Sequence, residues 1–369
     1  MAAATSRDVP DSGTSRSWRG CGFRFAAVAI GVAAGIIAAE GILRIAIHLD
    51  LPPLRSFAAF VHAPEGEHAQ DPRYRQSDDP LLGWELLPSV TAGDVRVNAA
   101  GFRGPDFTQE LPSGVTRVAV VGDSETFGAL LKEDETLPGA LQRELHAASP
   151  CRWEVLNFGI EGYNTVQESR LLETKVLRYQ PSVVVLYYVF NDPIMSSRSF
   201  LFAKSPFGWS YLVTLVRWQV YRWRQLRDIS ITAKQEYEAD PAAYWRWLHD
   251  SEYFDRAAML IRKMARATRA NGGRFVLVVA PEVCGYEDLR KYPFLHVHER
   301  LAVLASKDIE LVDPLNEVMT LTDNPRELWA TADNCHKNRA AVSAVARVVA
   351  RAITGGDANC GGTGDAVSP

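Results

Sequence analysis

Apolar residues along this chain form one long stretch near the N-terminus and, further on, a series of short β-branched runs separated by amphipathic segments. The long stretch, FRFAAVAIGVAAGIIAA over residues 23–39, carries Arg24 as its only charge. It continues through Gly41-Ile42-Leu43 and Ile45-Ala46-Ile47, interrupted by Glu40 and Arg44. At about 1.5 Å per residue, a helix over 23–48 is long enough to span a hydrocarbon core of roughly 30 Å. Arg7, Arg16, Arg19 and Arg24 precede or begin it, against Asp8 and Asp11, and this excess places the N-terminus in the cytoplasm. Glu40 and Arg44 lie four apart on one helical face and can pair near the outer end. Two other readings compete with an anchor: a signal peptide cleaved near Ala38-Ala39-Glu40, and a buried core helix.

After a polar tail over 1–22, the anchor and a proline-rich stretch over 50–80, residues 81–110 read as small strands and turns in front of the main domain. The short runs that follow predict strands at 118–121, 153–157, 182–190, 274–280 and 310–312. Helices are predicted between and after them at 138–147, 165–178, 251–270 and 338–353, with Pro138 in a first turn and Asn338 as an N-cap. This alternation predicts an α/β fold, a three-layer αβα sandwich around a parallel, flavodoxin-like five-stranded sheet. Residues 193–250 interrupt it as a helical insert holding Trp209, Trp218, Trp223, Trp245 and Trp247, and residues 355–369 form a glycine-rich tail. The predicted organisation is a cytoplasmic tail (1–22), an anchor (23–48), a linker with a small β-rich segment (49–110), a catalytic domain (111–354) and the tail.

Composition narrows the classes. The chain has 369 residues, 47% apolar and 23% charged, with a net charge of −4. Nothing in that balance favours nucleic acid as a partner. There is no Cys-x-x-Cys pair and no His/Cys cluster at zinc spacing, so neither metal nor cofactor is expected.

Ligands of open parallel sheets bind at the carboxyl ends of strands. Four polar signals fall there: Gly122-Asp123-Ser124-Glu125-Thr126-Phe127-Gly128, Asn157-Phe158-Gly159, Asn191-Asp192, and Asp333-Asn334-Cys335-His336. They supply the parts of acyl transfer. A serine hydroxyl (Ser124) needs a base (His336), and the base needs a carboxylate (Asp333) to hold its tautomer. The oxyanion needs preset donors, for which Ser124 N–H, Gly159 N–H and the Asn191 side chain are the candidates. Asp123 reads as a turn cap and Asp192 as a structural partner of Asn191. His146, His249, His296 and His298 read as surface or lid residues.

These blocks resemble those of the SGNH (GDSL-like) hydrolases. GDSETFG is similar to the family's first block, NFGIEGYN to its glycine block, FND to its asparagine block and DNCH to its Asp-x-x-His block, over about residues 116–354. The front segment LGW…VNAAGFRG resembles the region preceding this domain in membrane-anchored bacterial members. The resemblance implies the family's Ser, Gly, Asn and His at Ser124, Gly159, Asn191 and His336, with Asp333 as carboxylate. One departure is that the usual Gly-x-Asn-Asp stands here as Val189-Phe190-Asn191-Asp192.

The expected activity is hydrolysis of small acyl esters of a carbohydrate or lipid outside the cytoplasm. The expected partners are an acyl-ester substrate and, through residues 23–48, a membrane. Transfer of the acyl group to an extracellular polysaccharide and a non-catalytic binding role on the same fold are the alternatives. Strand polarity pairs Cys284 with Cys335 at the active-site edge and Cys151 with Cys360 at the opposite edge, against the alternative of free thiols. Cys21 is expected to stay reduced on the cytoplasmic side.

Overall fold

A computed structural model describes residues 16–49, 71–79, 81–194, 210–216 and 237–355, together with positions 51, 54 and 219. The chain divides into two compact units: residues 1–63 with 205–220, and residues 64–204 with 221–369.

In the first unit, helix α1 (Arg16–His48) contains the apolar stretch. Its portion Arg24–His48, 25 residues with mean hydropathy 2.1, is long and apolar enough to cross a membrane. Arg44 pairs with Glu40 at 2.8 Å, as the four-residue spacing anticipates. The Glu40 carboxylate also accepts from Ser210 Oγ and from the N–H groups of Tyr211 and Leu212, at 2.8–2.9 Å. Glu40 therefore satisfies the open N–H groups of a helical turn that belongs to the insert.

The second unit is built on a five-stranded parallel sheet: β5 (Val115–Gly122), β6 (Arg152–Gly159), β7 (Val183–Tyr188), β8 (Arg274–Val279) and β9 (Glu310–Val312), in spatial order β6-β5-β7-β8-β9. This is the flavodoxin-like order that the strand alternation predicts. Strands β5 and β7 are buried throughout because helices cover both faces. Helices α3 (Leu137–Ala148) and α9 (Arg339–Gly355) pack together, as do α4 (Thr165–Thr174) and α6 (Glu252–Ala270), while the short α7 (Leu295–Ala302) and α8 (Leu315–Met319) flank β9 in sequence. Pro138 lies in the first turn of α3, and the Asn338 side chain accepts from Ala340 N–H and Ala341 N–H at the start of α9, both as expected. The helix predicted over 165–178 instead stops at Thr174 and finishes as a 3₁₀ turn, Val176–Tyr179, ahead of Pro181.

In front of β5 lie two small hairpins, β1 (Tyr74–Gln76) with β2 (Trp84–Leu86) and β3 (Thr91–Ala92) with β4 (Val95–Arg96). Leu82, Trp84, Leu86, Val97 and Phe102 from this segment belong to the same hydrophobic core as the sheet. Phe102 packs edge-on against Phe158 of β6, their ring centroids 4.5 Å apart. Of the insert, α5 (Pro241–His249) belongs to this unit and sends Trp245 against Phe190, 5.9 Å away, as a packing residue. Trp209, Trp218 and Trp223 lie outside the described residues.

Candidate active site

The first candidate element forms because the chain turns sharply where β5 ends. Asp123 makes the turn: its carboxylate accepts Glu125 N–H at 2.9 Å and caps the single-turn helix α2 (Ser124–Phe127). Gly122 is required by space, since a Cβ there would stand 2.2 Å from Thr126 Oγ1. Arg103, buried and supplied by the front segment, closes the other end of α2. Its guanidinium donates to the carbonyls of Phe127 at 2.9 Å, Gly128 at 2.5 Å and Leu131 at 2.5 Å. The first two are carbonyls that the end of a helix leaves without partners, and the third lies in the loop that follows.

The Asp-x-x-His block folds as a hairpin, β10 (Trp329–Thr331) against β11 (Asn334–Lys337). His336 Nε2 lies 2.8 Å from Ser124 Oγ. On the other side of the ring, Nδ1 lies 2.6 Å from Asn334 Oδ1, and that oxygen also accepts His336 N–H at 3.0 Å. Asp333, expected at Nδ1, is not there. It is exposed in the turn of the hairpin, where its carboxylate accepts from Thr331 Oγ1 at 2.7 Å, a bond that holds it below the ordinary carboxylate value. The reason is periodicity. Side chains two apart share a face of a strand, whereas a spacing of three suits a helical turn. Extended backbone over 334–337 therefore gives the position beside His336 to Asn334.

The neighbours of His336 are tied on both sides. Cys335 forms the expected disulfide with Cys284, in the loop after β8, with Cα atoms 5.7 Å apart. Cys151 is also disulfide-bonded, while its expected partner Cys360 lies outside the described residues. Lys337, nearly fully buried, pairs with Glu125 at 3.2 Å. Burial opposes its charge, but the carboxylates of Glu125 and Glu282 more than compensate and raise its pKa. The residue after the candidate nucleophile is thus bonded to the residue after the candidate base.

Of the expected oxyanion donors, Asn191 is exposed just beyond β7. Asp192 beside it is buried and accepts Val189 N–H at 2.9 Å, which fixes the turn and fits its structural reading. Gly159 differs from expectation: its N–H already donates to Asn157 Oδ1 at 2.9 Å. Its lack of a side chain serves packing, because a Cβ would stand 2.2 Å from Phe127 N. Burial raises the carboxyl pKa of Asp123, Glu168 and Asp192 behind the turn, and repulsion adds to it, from Glu125 on Asp123, from Asp123 on Glu168, and from both Glu168 and Asp123 on Asp192. His249 and His298, read from sequence as surface or lid residues, are buried. His249 bonds Tyr188 Oη at 3.0 Å, and burial lowers its pKa to about 4. His298 bonds Asp313 and Tyr292. Among the described residues no group of three or more His, Cys, Asp or Glu is arranged to hold a metal ion.

Fold and site together define an α/β protein with a serine–histidine pair at the carboxyl edge of a parallel sheet. No protein-family model matches the chain, and no curated protein matches it. Among solved structures, TesA is similar over 65% of this chain and 99% of its own, at 15% identity and a TM-score of 0.40. A catalytic mutant of Axe2, an acetylxylan esterase from Geobacillus stearothermophilus, is similar over 65% of this chain and 94% of its own, at 18% identity and a TM-score of 0.41. The lipase/acylhydrolase from Enterococcus faecalis is similar over 65% and 96%, at 18% identity and a TM-score of 0.37.

Proposed function

We propose that this chain is a serine ester hydrolase of SGNH type, held to a membrane by α1, acting on small acyl esters of a carbohydrate or lipid outside the cytoplasm. The observation that carries the reading is the 2.8 Å approach of His336 Nε2 to Ser124 Oγ at the carboxyl edge of β5. In that geometry the imidazole accepts the hydroxyl proton as Oγ attacks the ester carbonyl, then returns it to the departing alkoxide. Water attacks the acyl-enzyme by the same route in reverse. The oxyanion is assigned to Ser124 N–H and the Asn191 side chain. Gly159 supports the site by letting β6 lie against α2, since its own N–H is engaged.

The test is turnover of a short-chain aryl ester by the full chain. Ser124→Ala and His336→Ala should each lower kcat by roughly 10³-fold or more, with folding intact by circular dichroism. Near wild-type turnover by Ser124→Ala would remove the basis of the assignment.

A further inference from the structure

We infer that the group positioning the catalytic imidazole is the neutral amide of Asn334, and that Asp333 has no part in the charge relay of this site. The inference rests on the reading of Ser124 and His336 as nucleophile and base.

Three observations carry it. First, Asn334 Oδ1 is 2.6 Å from His336 Nδ1 and also accepts His336 N–H at 3.0 Å. A backbone N–H can only donate, so the atom it meets must be the amide oxygen, which settles the orientation of the side chain. An acceptor at Nδ1 then requires the ring proton there and leaves the Nε2 lone pair for the Ser124 hydroxyl. Second, the Asp333 carboxylate is bonded to Thr331 Oγ1 in the solvent-exposed turn. Third, the hairpin is fastened on both sides of His336, by the Cys284–Cys335 disulfide and by the Lys337–Glu125 ion pair. Thr331 and Asn334 pair across the turn that holds Asp333.

The chemical consequence is specific. An amide oxygen orients the ring as a carboxylate does, but brings no negative charge to the imidazolium formed during attack. A carboxylate placed at the same position would add that charge and favour the imidazolium.

The readout is the rate at which a fluorophosphonate labels Ser124 in the full-length protein, followed by mass spectrometry from pH 5 to 9. This measures activation of the nucleophile without reference to the natural ester. Asn334→Ala should slow labelling at least about tenfold, because tautomer control is lost. Asp333→Ala should stay within about threefold of wild type. Asn334→Asp keeps an acceptor at Nδ1 and adds a charge, so it should label readily with the acid limb of its profile moved to higher pH. The unchanged limb of Asp333→Ala is the matching control. A loss in Asp333→Ala equal to or greater than that in Asn334→Ala would overturn the inference, as would an Asn334→Asp profile that coincides with wild type. Absence of Ser124 labelling in the wild-type protein would sink the hydrolase reading itself, and this inference with it.

Discussion

Ser124 and His336 meet because the residues following each of them are joined underneath. Lys337 and Glu125 form a largely buried pair, with side-chain exposures of 4% and 13%. Removing one member of such a pair leaves the other charge buried and uncompensated, at a cost of about 3–5 kcal/mol, whereas replacing both by neutral groups is far milder. Lys337→Met should therefore lower unfolding stability by about 3 kcal/mol, and Glu125→Gln combined with it should recover most of the loss. Denaturant unfolding of the two proteins checks this, and equal stability of the single and double variants would refute it. At this scale the sequence is legible where one residue type at a strand end suffices, as for Ser124, His336 and the Asp123 cap. It is illegible where backbone conformation decides between adjacent side chains. Asp333 and Asn334 are both plausible partners by composition, and only the extended backbone of β11 selects Asn334. Gly159 likewise has a free N–H on paper, and only the folded turn shows Asn157 taking it.

Among the elements, the central strands β5, β7 and β8 are readable because each is a buried run rich in β-branched residues, and buried parallel strands carry that pattern without interruption. The hairpin of β10 and β11 is not readable, since WAT and NCHK show neither an apolar run nor an alternation of apolar and polar residues. A covalent link adds to the strand pairing and the ion pair that hold that hairpin. The Cys284–Cys335 bridge ties it to the loop after β8 across a sequence separation of 51. By the chain-entropy argument, a closed loop of that length is worth about 4 kcal/mol against the unfolded chain. Cys284→Ser with Cys335→Ser should lower the melting temperature and slow Ser124 labelling more than it disturbs the sheet. Circular dichroism melting and labelling rates on the same sample make the comparison. An unchanged labelling rate would show that the strand pairing and the Lys337–Glu125 pair hold His336 unaided.

For the molecule as a whole, the proposed arrangement is a single membrane pass by α1 with the N-terminus inside and the hydrolase unit outside. Protease added to sealed membrane vesicles of known sidedness should digest residues beyond about 71 only from the extracytoplasmic face. Digestion only from the cytoplasmic face would reverse the topology. The apolar run made helix α1 legible, whereas the role of the front segment was not. From sequence, residues 81–110 read as an appendage to a domain beginning near residue 111. In the fold, Arg103 of that segment donates to the two carbonyls ending the helical turn of Ser124 and to one in the loop beyond, and Arg73 lies 5.4 Å over the ring of Phe127 in the same turn. Inheritance of the two parts is therefore coupled. A recombination joint placed at residue 111 would transplant a serine whose supporting cation stayed behind, so an exchange between related chains preserves the nucleophile turn only when its crossover falls upstream of Arg73.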